Sequence, residues 1–480
     1  MSAMIAKSRL FGTETEARVL SEFRRAAAEV RAYRTLLEEH GVGAGDVRDL
    51  ASFVRRCPPL SKENTFDRFT LEQLSAGGRL TDVADVLTSS GHGGRFSFGV
   101  ISRKQASASA EFMDRAFDNA FGIATRRTLA INCLPMGVVF SSNLMTVATT
   151  SVREDMAVAL IEAFGHQYEQ LLLVGDPLFM KRFTDYARER GIDWNRYRVN
   201  VIIGEEIFGP HFRGYLAGSL GMNINEPAAG YIMSSFGVGE LGLHLCWETP
   251  ATIAAGRATL ADPALAGDLF GGGAGETSAL PMLFTFNPLR TFIEVTHADA
   301  DGFGRMTTTM LEPECMVPLL RYQTGDVVKL LDRDEVCSVA RRHGVTLESN
   351  QLPAALLALR GREKEALPNG SHVGVYKDAL YADHRTARRL SGAFRLEFDG
   401  DRCTMHVQLT PPNTPHVSIE EAILRALPPR LRPSRLVLWP YHQFPFGMTL
   451  DYERKFVHFA PGGDDCAAGS PAASIPEYAL

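Results

Sequence analysis

A run of small residues follows a strand-like segment at a place where residue types and spacing could bind phosphate. After VADVLT the chain continues with Ser89, Ser90, Gly91, His92, Gly93, Gly94 and Arg95. Successive backbone N–H groups in such a loop can surround phosphate oxygens, and glycine lets the chain approach them closely. The loop lacks the Gly-Lys-Ser/Thr ending of a Walker loop and the glycine spacing of a dinucleotide-binding turn. Taken alone, it could equally be a surface turn.

Two further motifs contain an aromatic ring and carboxylates that could bind a nucleotide. In FGVGE (236–240) the ring could stack on a base, and Glu240 could hold Mg²⁺ beside phosphate oxygens. In RYQTGD (321–326) an aspartate follows a Thr-Gly turn, where it could accept hydrogen bonds from two vicinal hydroxyl groups. Considered alone, FGVGE could instead be an ordinary turn at the end of a strand.

Cationic residues late in the chain could meet an anionic ligand. Arg362 and Lys364 lie where the residue pattern of the sequence changes, and Lys455 lies in PFGMTLDYERKF near the end. A single lysine in a late loop is usually solvated. These positions therefore indicate a binding site only in combination with the other motifs.

The elements that must position these motifs alternate between apolar strands and amphipathic helices from about 83 to 240. VADVLT, TLAINC, QLLLVG, VNVIIG and GYIMSS are short apolar runs, and the pattern predicts a parallel sheet buried on both faces. Ligands of such sheets gather at the carboxyl ends of the strands. Residues 284–331 are strand-like, whereas the Ala/Gly-rich stretch 250–282 is expected to be a surface insertion.

We therefore predict an α/β fold with a large N-terminal domain, parallel-rich and with a β-subdomain, and a small mobile α+β lid. The boundaries are 1–360 for the large domain, 361–460 for the C-terminal lid and 461–480 for a disordered tail. In the lid, FRLEFDGDRCTMHVQLT reads as a hairpin with its turn at Asp399-Gly400. Residues 13–41 are expected to form one long amphipathic helix.

Composition excludes several classes of function. The 480 residues contain 50 basic and 56 acidic side chains, a net charge of -6, so a dense basic face for nucleic acid is not expected. The chain shows no secretory signal and no apolar run long enough to span a membrane. Seven scattered cysteines favour free thiols in a reducing compartment, and we expect a cytoplasmic protein.

The order of the motifs resembles the adenylate-forming superfamily of acyl-CoA synthetases and adenylation domains, in particular its phenylacetate-CoA ligase and coenzyme F390 synthetase branch. The loop TSSGHGGR resembles SSGTTGKP, FGVGE resembles Y-G-x-T-E, LLRYQTGD matches LxRYxTGD, and RGREKE resembles the hinge segment. PPLSKENTF and VIIGEE also have counterparts. The resemblance covers roughly residues 30–460.

The resemblance implies activation of a carboxylic acid by ATP and a role for each matching residue. The loop 89–95 would surround the phosphates, Phe236 would stack on adenine, Glu240 would bind Mg²⁺ and Asp326 would bind the ribose. Arg362 would approach ribose or phosphate, Lys364 would be the hinge, and Lys455 would meet the carboxylate and the α-phosphate. The remaining nucleotide contacts are expected from Gly204, Glu205, Ser235, Gly237 and Gly239. The acid pocket is expected to include Pro135, Met136, Gly137, Ile207, Phe208 and Ser234.

The chain departs from the family pattern at positions that matter for phosphate binding. His92 and Gly93 replace two threonines, and Gly239 replaces the threonine that meets the α-phosphate. Each lost hydroxyl removes a hydrogen bond to a charged group, worth about 1.5–3 kcal/mol. A degenerate protein that binds a nucleotide or acyl group as a partner subunit therefore remains an alternative to an enzyme.

Substrate, acceptor and metal are less well defined. The pocket segments are apolar and contain no evident Lys or Arg, which favours an aromatic or other hydrophobic acid. Coenzyme A is the expected acceptor, with an acyl-carrier protein or an amine as alternatives, and a homodimer is compatible with the sequence. Zinc is not expected, because His244, Cys246 and Cys315 lack a convincing fourth ligand.

Overall fold

A computed structural model describes the backbone of most of the chain. The described residues are 10–88, 96–135, 137–224, 226, 230–275, 279–313, 315–347, 351–447 and 452–460. The loop 89–95, Met136 and the tail 461–480 therefore lie outside the described residues. Among the described helices, none has the length and apolarity that crossing a bilayer requires.

One mixed sheet of eleven strands organises most of the described structure. Its spatial order is β10-β11-β12-β13-β9-β8-β7-β6-β5-β3-β4. The strands of this sheet are β3 (Thr128–Asn132), β4 (Thr146–Thr149), β5 (Gln170–Gly175), β6 (Arg198–Ile203), β7 (Ile232–Val238), β8 (Gly242–Trp247), β9 (Met282–Phe286), β10 (Thr291–Thr296), β11 (Gly304–Met310), β12 (Tyr322–Asp332) and β13 (Ala355–Arg362). From β4 to β7 the pairs are parallel, and from β7 to β10 they are antiparallel, so β7 joins the two halves.

Two smaller sheets complete the strands. The antiparallel hairpin of β1 (Val83–Thr88) and β2 (Phe98–Ser102) stands apart from the large sheet. The third sheet consists of β14 (Leu390–Asp399), β15 (Arg402–Leu409) and β16 (Arg435–Trp439). β14 and β15 pair antiparallel around the predicted turn, where Gly400 has a φ of +55°. The predicted hairpin is thereby confirmed.

Helices cover the sheets on both faces. They are α1 (Thr13–Glu29), α2 (Arg31–Glu39), α3 (Leu50–Arg56), α4 (Leu71–Leu74), α5 (Arg103–Phe121), α6 (Glu154–Phe164), α7 (Pro177–Glu189), α8 (Pro210–Ser219), α9 (Pro250–Ala261), α10 (Pro263–Phe270), α11 (Arg333–Arg342), α12 (Val373–Ala379), α13 (His384–Ala387) and α14 (Val417–Ala426). Along β5, Leu171 and Leu173 pack into one apolar core, and Leu172 and Val174 pack into another. This alternation follows from the two-residue period of a strand, and it confirms the predicted α/β fold with both sheet faces buried.

Two local expectations were wrong. Residues 250–282 are not a surface insertion, because α9 and α10 bury Leu265, Leu269 and Phe270 against the antiparallel half of the sheet. The predicted helix over 13–41 is interrupted at Val30, whose φ and ψ of -101° and 110° are extended. Val30 itself is buried at the junction. The helical period continues on both sides of the break, which is why the sequence pattern did not reveal it.

The segment after β13 packs extensively on the large sheet's helices. Tyr381 contacts Phe212 with ring centroids 4.9 Å apart and Tyr215 with centroids 5.4 Å apart. Asp378 accepts hydrogen bonds from the backbone N–H groups of His211 and Phe212, at 2.9 and 3.2 Å. The domain boundary near Gly361 stays a prediction.

Candidate functional site

Two adjoining cavities lie at the carboxyl edge of the parallel strands. The larger has a volume of about 730 Å³ and the smaller about 240 Å³. Their shared wall consists of Glu205, Ser235, Gly237, Arg362, Lys364 and Lys455. Residues as far apart in the chain as Glu205 and Lys455 thus meet in one place, with Arg362 of β13 beside them.

Asp326 lines the smaller cavity and is almost completely buried. It lies on β12 opposite Arg362 of β13, and Arg362 Nε lies 3.5 Å from Asp326 Oδ1. Only 2% of Asp326 is exposed, and Oδ2 has no hydrogen-bond partner among the described residues. Burial raises the pKa of this carboxyl, and Arg362 opposes that rise. A buried acceptor without a partner is costly, so this oxygen is suited to a ligand that donates hydrogen bonds.

Phe236 and the turn after β6 border the same cavity. Phe236 lies on β7, half-buried, with its ring centroid 6.3 Å from that of Phe284. Gly204 and Glu205 follow β6 directly, and Glu205 has a φ of +66°, a left-handed conformation that is rare for a residue with a side chain. Such strained residues cluster at ligand sites. An aromatic face, an exposed backbone turn and a free carboxylate oxygen together form a site suited to a base and its sugar.

Lys455 reaches both cavities from the C-terminal part of the chain. Its Nζ lies 3.0 Å from the carbonyl oxygen of Glu205 and 2.9 Å from Glu205 Oε2. The neighbouring Lys364 has a pKa lowered to about 8 by burial and by Arg362. Two lysines and one arginine therefore lie at the wall between the cavities, where Glu205 and Asp326 balance part of their positive charge.

Glu240 is held at the larger cavity by a buried tyrosine. Tyr322 donates a hydrogen bond from its hydroxyl to Glu240 Oε1 at 2.6 Å, and only 1% of Tyr322 is exposed. The preceding residue, Gly239, contacts Gly99 of β2 so closely that a Cβ at position 99 would overlap the Gly239 carbonyl oxygen. This close approach docks the β1–β2 hairpin against the end of β7.

The ends of the predicted phosphate loop open on the larger cavity. Thr88, the last residue of β1, and Ser97, just before β2, both line it. Thr324 and Gly325 of the RYQTGD motif line the same cavity. The residues 89–95 that the prediction named lie outside the described residues.

The deep end of the larger cavity is apolar. Its walls come from helix α5, the loop after β3, β5 and β6, through Met113, Phe117, Leu134, Val138, Phe140, Val174 and Ile202. The predicted acid-pocket residues are distributed differently. Gly137 lines this cavity, Ile207 and Ser234 line the smaller one, Phe208 borders a separate cleft of about 30 Å³, and Pro135 is buried.

A buried ionic cluster connects the turn after β6 to helix α12. Lys377 Nζ lies 2.8 Å from Glu206 Oε2 and 3.3 Å from Glu365 Oε1. Burial alone would lower the pKa of Lys377, but the two carboxylates outweigh it and raise that pKa. Sequence analysis missed this cluster and the helix α5 residues, since nothing in their local pattern distinguishes them from core or surface positions.

Within the part of the chain that the structure describes, no group of three or more His, Cys, Asp or Glu side chains is arranged to hold a metal ion. Cys315 donates its thiol to the carbonyl of Val317, and Cys246 is buried on β8.

Similarity to known proteins is limited to the level of structure. No protein-family model and no curated protein sequence matches this chain. The chain is similar to 2-hydroxyisobutyryl-CoA ligase in the postadenylation state with R3-HIB-AMP, with a TM-score of 0.64 and 12% identity over 92% of this chain and 88% of that chain. It also matches that ligase in an open conformation with 2-HIB-AMP and CoA, with a TM-score of 0.55 and 13% identity over 93% and 90% of the two chains. In the thioesterification state the TM-score is 0.53, with 14% identity over 88% and 85%. This chain therefore has the adenylate-forming ligase fold that the resemblance predicted.

Proposed function

We propose that this chain is an adenylate-forming ligase that uses ATP to convert a carboxylic acid into an acyl-adenylate and then transfers the acyl group to a thiol. The observation that carries the proposal is the buried Oδ2 of Asp326, which has no hydrogen-bond partner in the described part of the chain, at a cavity bordered by Phe236, Glu205 and Lys455. The fold shared with a CoA ligase supports the same assignment. Within the superfamily, the motifs favour the phenylacetate-CoA ligase-like branch.

The nucleoside would bind in the smaller cavity. Asp326 would accept hydrogen bonds from the vicinal ribose hydroxyls, with Arg362 holding its other oxygen. Phe236 would stack on the adenine against the backbone of Glu205, with Ser235 and Gly237 completing the wall. Gly204 and Gly239 line the larger cavity, where they would face the phosphates. Stacking on an aromatic face and charge-assisted hydrogen bonds to the sugar are both favourable in a buried site.

Adenylation would occur where the two cavities meet. A carboxylate oxygen of the acid attacks the α-phosphorus, a new P–O bond forms, and the bond to the bridging oxygen breaks to release pyrophosphate. Lys455 would leave Glu205 and neutralise charge on the α-phosphate and the carboxylate, so its contribution is electrostatic and positional. The Glu240 carboxylate, oriented by Tyr322, suits Mg²⁺, which would neutralise phosphate charge when bound.

The acid would occupy the apolar end of the larger cavity. Met113, Phe117, Leu134, Val138 and Phe140 offer surface for an aromatic or other hydrophobic body. Their burial against a ligand is favourable by roughly 25 cal/mol per Å² of apolar surface removed from water. The carboxylate would then point towards the positive charge at Lys455.

In the second half-reaction a thiol sulfur attacks the acyl carbon, AMP leaves, and the thiol proton passes to solvent. Coenzyme A is the acceptor we propose. Residues 361–460 would act as the lid and rotate about Lys364 between the two half-reactions.

Pyrophosphate release tests the proposal directly. Wild-type protein, Lys455→Ala and Lys104→Ala are assayed with ATP, Mg²⁺ and a panel of aryl, fatty and amino acids. At least one acid is expected to stimulate release, and Lys455→Ala to slow it by about a hundredfold or more, the scale of losing one charge-stabilising group. Lys104→Ala, an exposed lysine at the start of α5, is expected to match wild type. Binding of ATP without pyrophosphate release stimulated by any acid would instead favour the non-catalytic partner. The masses of the products formed with CoA, carrier protein or amines identify the acceptor.

Nucleotide binding is tested separately from turnover. Asp326→Ala is expected to weaken AMP binding by at least about tenfold in calorimetry, because hydrogen bonds to a charged group are worth about 1.5–3 kcal/mol. Wild-type protein that gives no heat with ATP or AMP would overturn the proposal.

A further inference from the structure

A buried histidine with an unused ring nitrogen lies between the larger cavity and a third one. The third cavity, of about 330 Å³, adjoins the larger one through Met113, Phe140, Gly239, Glu240 and His244. His244 is on β8 and lines both cavities. The nucleotide scheme above gives it no role, and no metal-type cluster contains it among the residues described.

The ring of His244 is fixed in orientation. Its Nδ1 lies 2.8 Å from the hydroxyl of Ser235 on the neighbouring strand β7. The ring stacks on Trp247, with centroids 4.7 Å apart and an interplanar angle of 11°, and Phe112 meets it edge-on at 5.8 Å. Stacking and the hydrogen bond together hold the imidazole in one position.

The other nitrogen, Nε2, is buried and has no hydrogen-bond partner among the described residues. Burial, assisted by the charge of Arg290, lowers the pKa of His244 to about 4, so the imidazole is neutral at pH 7. A neutral imidazole has one donor and one acceptor nitrogen, and Ser235 engages only one of them. A polar atom left unpaired in an apolar wall costs stability unless a ligand satisfies it.

The surroundings specify the charge of that ligand group. Arg290 could attract an anion, but it is paired with Glu312, with Nε 2.8 Å from Oε1, and lies over the ring of Phe112 at 4.2 Å. The carboxylates of Glu240 and Asp85 also border this region. A second carboxylate on the substrate would be repelled here, whereas a neutral hydroxyl could either donate to Nε2 or accept from it.

We infer that His244, oriented by Ser235, determines which acid is used, and that the preferred acid carries a neutral hydroxyl-type substituent on its apolar body. This inference rests on the proposed function, which places the substrate carboxylate near Lys455. It refines the substrate class from a hydrophobic acid to a hydroxylated one, with the third cavity available for the part of the molecule beyond the hydroxyl.

Matched pairs of acids test the inference. Benzoic and phenylacetic acids are compared with their ring-hydroxylated counterparts at each ring position, using kcat/KM for pyrophosphate release. Wild type is expected to prefer the hydroxylated member of at least one pair by about tenfold or more, since an apolar analogue leaves Nε2 unpaired. His244→Leu is expected to reduce that ratio to about twofold or less, and His244→Gln, which restores a polar nitrogen, to recover part of it.

Controls separate a specific role from a structural one. His384→Leu removes another histidine whose ring contacts an aromatic side chain and whose Nε2 has no partner among the described residues, but which lines neither the larger nor the third cavity. It is expected to keep the wild-type preference. Thermal melting of each variant monitors folding. An equal kcat/KM for both members of every pair in wild type, or an unchanged preference in His244→Leu, would overturn the inference.

Binding of the same acids distinguishes this inference from the proposed function. If no acid supports turnover, calorimetric titration of the acid pairs into wild type and His244→Leu still measures the preference. A hydroxyl preference in wild type that His244→Leu removes supports the inference even then. No preference in binding, or no binding by any acid, overturns it.

Discussion

At the scale of single residues, orientation matters as much as identity. Glu240 and Asp326 are both carboxylates in one region, yet Glu240 accepts a hydrogen bond from Tyr322, whereas Asp326 keeps one oxygen unpartnered among the described residues. Of the two, the second arrangement leaves an acceptor for a sugar hydroxyl, and the first fixes a carboxylate in one direction. The same functional group is therefore proposed to bind Mg²⁺ at Glu240 and the ribose at Asp326.

Tyr322→Phe tests whether orientation of Glu240 affects adenylation. Removing the hydroxyl releases the carboxylate, and we expect about a tenfold lower rate of pyrophosphate release with a higher Mg²⁺ requirement, because hydrogen bonds to charged groups contribute about 1.5–3 kcal/mol. Mg²⁺ titrations of the rate measure this.

Tyr376→Phe is the matched control for that change. Tyr376 is equally buried and donates its hydroxyl to the carbonyl of Leu431 at 2.9 Å, away from the cavities. It is expected to lower stability to a similar extent and to leave the Mg²⁺ dependence unchanged. The same Mg²⁺ shift in both variants would remove the role proposed for Tyr322.

At the scale of elements, the site depends on close packing between a hairpin and the end of a central strand. Gly99 of β2 meets the backbone of Gly239, directly before Glu240. No side chain fits between them. Position 99 therefore requires glycine because of this tertiary contact, and not because of strand propensity.

Gly99→Ala is expected to destabilise the protein by about 1–3 kcal/mol, the usual cost of overpacking, and to reduce pyrophosphate release further by moving Glu240. Urea unfolding and the rate assay measure the two effects. Gly256→Ala in α9, where a Cβ meets no neighbour, is the control, and it should be neutral or stabilising by up to about 1 kcal/mol. Equal behaviour of the two variants would contradict the packing argument.

Helix α12 is attached to the turn after β6 by the Lys377 cluster. Burial alone would raise the pKa of Glu365, but Lys377 and His372 lower it to about 2, so its charged form is strongly favoured in the folded state. Removing the lysine would leave two carboxylates facing each other with little solvent.

Lys377→Met is therefore expected to lower the free energy of unfolding by about 3 kcal/mol. Limited proteolysis of 361–390 should accelerate as this segment loosens. The double variant Lys377→Met with Glu206→Met removes one of the two unpaired carboxylates and should recover part of the loss. A double variant that is no more stable than the single one would show that the ion pair is not the cause.

At the scale of the whole molecule, the C-terminal sheet and the large sheet share one apolar core. His458 sits at this junction, stacked on Phe394 with centroids 4.2 Å apart, and its Nδ1 lies 3.0 Å from the Phe394 carbonyl oxygen. Burial, together with Lys377, lowers the pKa of His458 from 6.5 to about 3.

This depressed pKa makes the junction sensitive to acid. The unfolded chain binds a proton at His458 near pH 6.5 while the folded chain does not, so stability falls as the pH falls from 6.5 towards 3. Between pH 7 and pH 5 this group alone is expected to cost about 2 kcal/mol. His458→Asn retains a donor for the Phe394 carbonyl but has no group that titrates in this range. Its free energy of unfolding in urea should therefore fall by about 2 kcal/mol less than that of wild type between pH 7 and pH 5. Equal pH dependence in both proteins would contradict the assignment.

Short-range information in the sequence was enough for the fold class and for the motifs. Strand periods placed β5, β6 and β7, and the turn chemistry around Asp399-Gly400 predicted the C-terminal hairpin, because these features depend on neighbours in the chain. FGVGE and RYQTGD could be proposed as nucleotide motifs, although only the structure shows that Phe236 and Asp326 border one cavity.

The remaining features depended on contacts between distant segments. The order of the strands brings β13 beside β12 and β9, and it thereby sets Arg362 opposite Asp326. The α5 residues that line the larger cavity and the pairing of His244 with Ser235 arise from packing that leaves no periodic pattern in the sequence. Local residue patterns therefore determined the fold class of this protein and its candidate nucleotide motifs. Tertiary structure alone decided which side chains face one another, because packing partners are selected by shape and by the topology of the sheet.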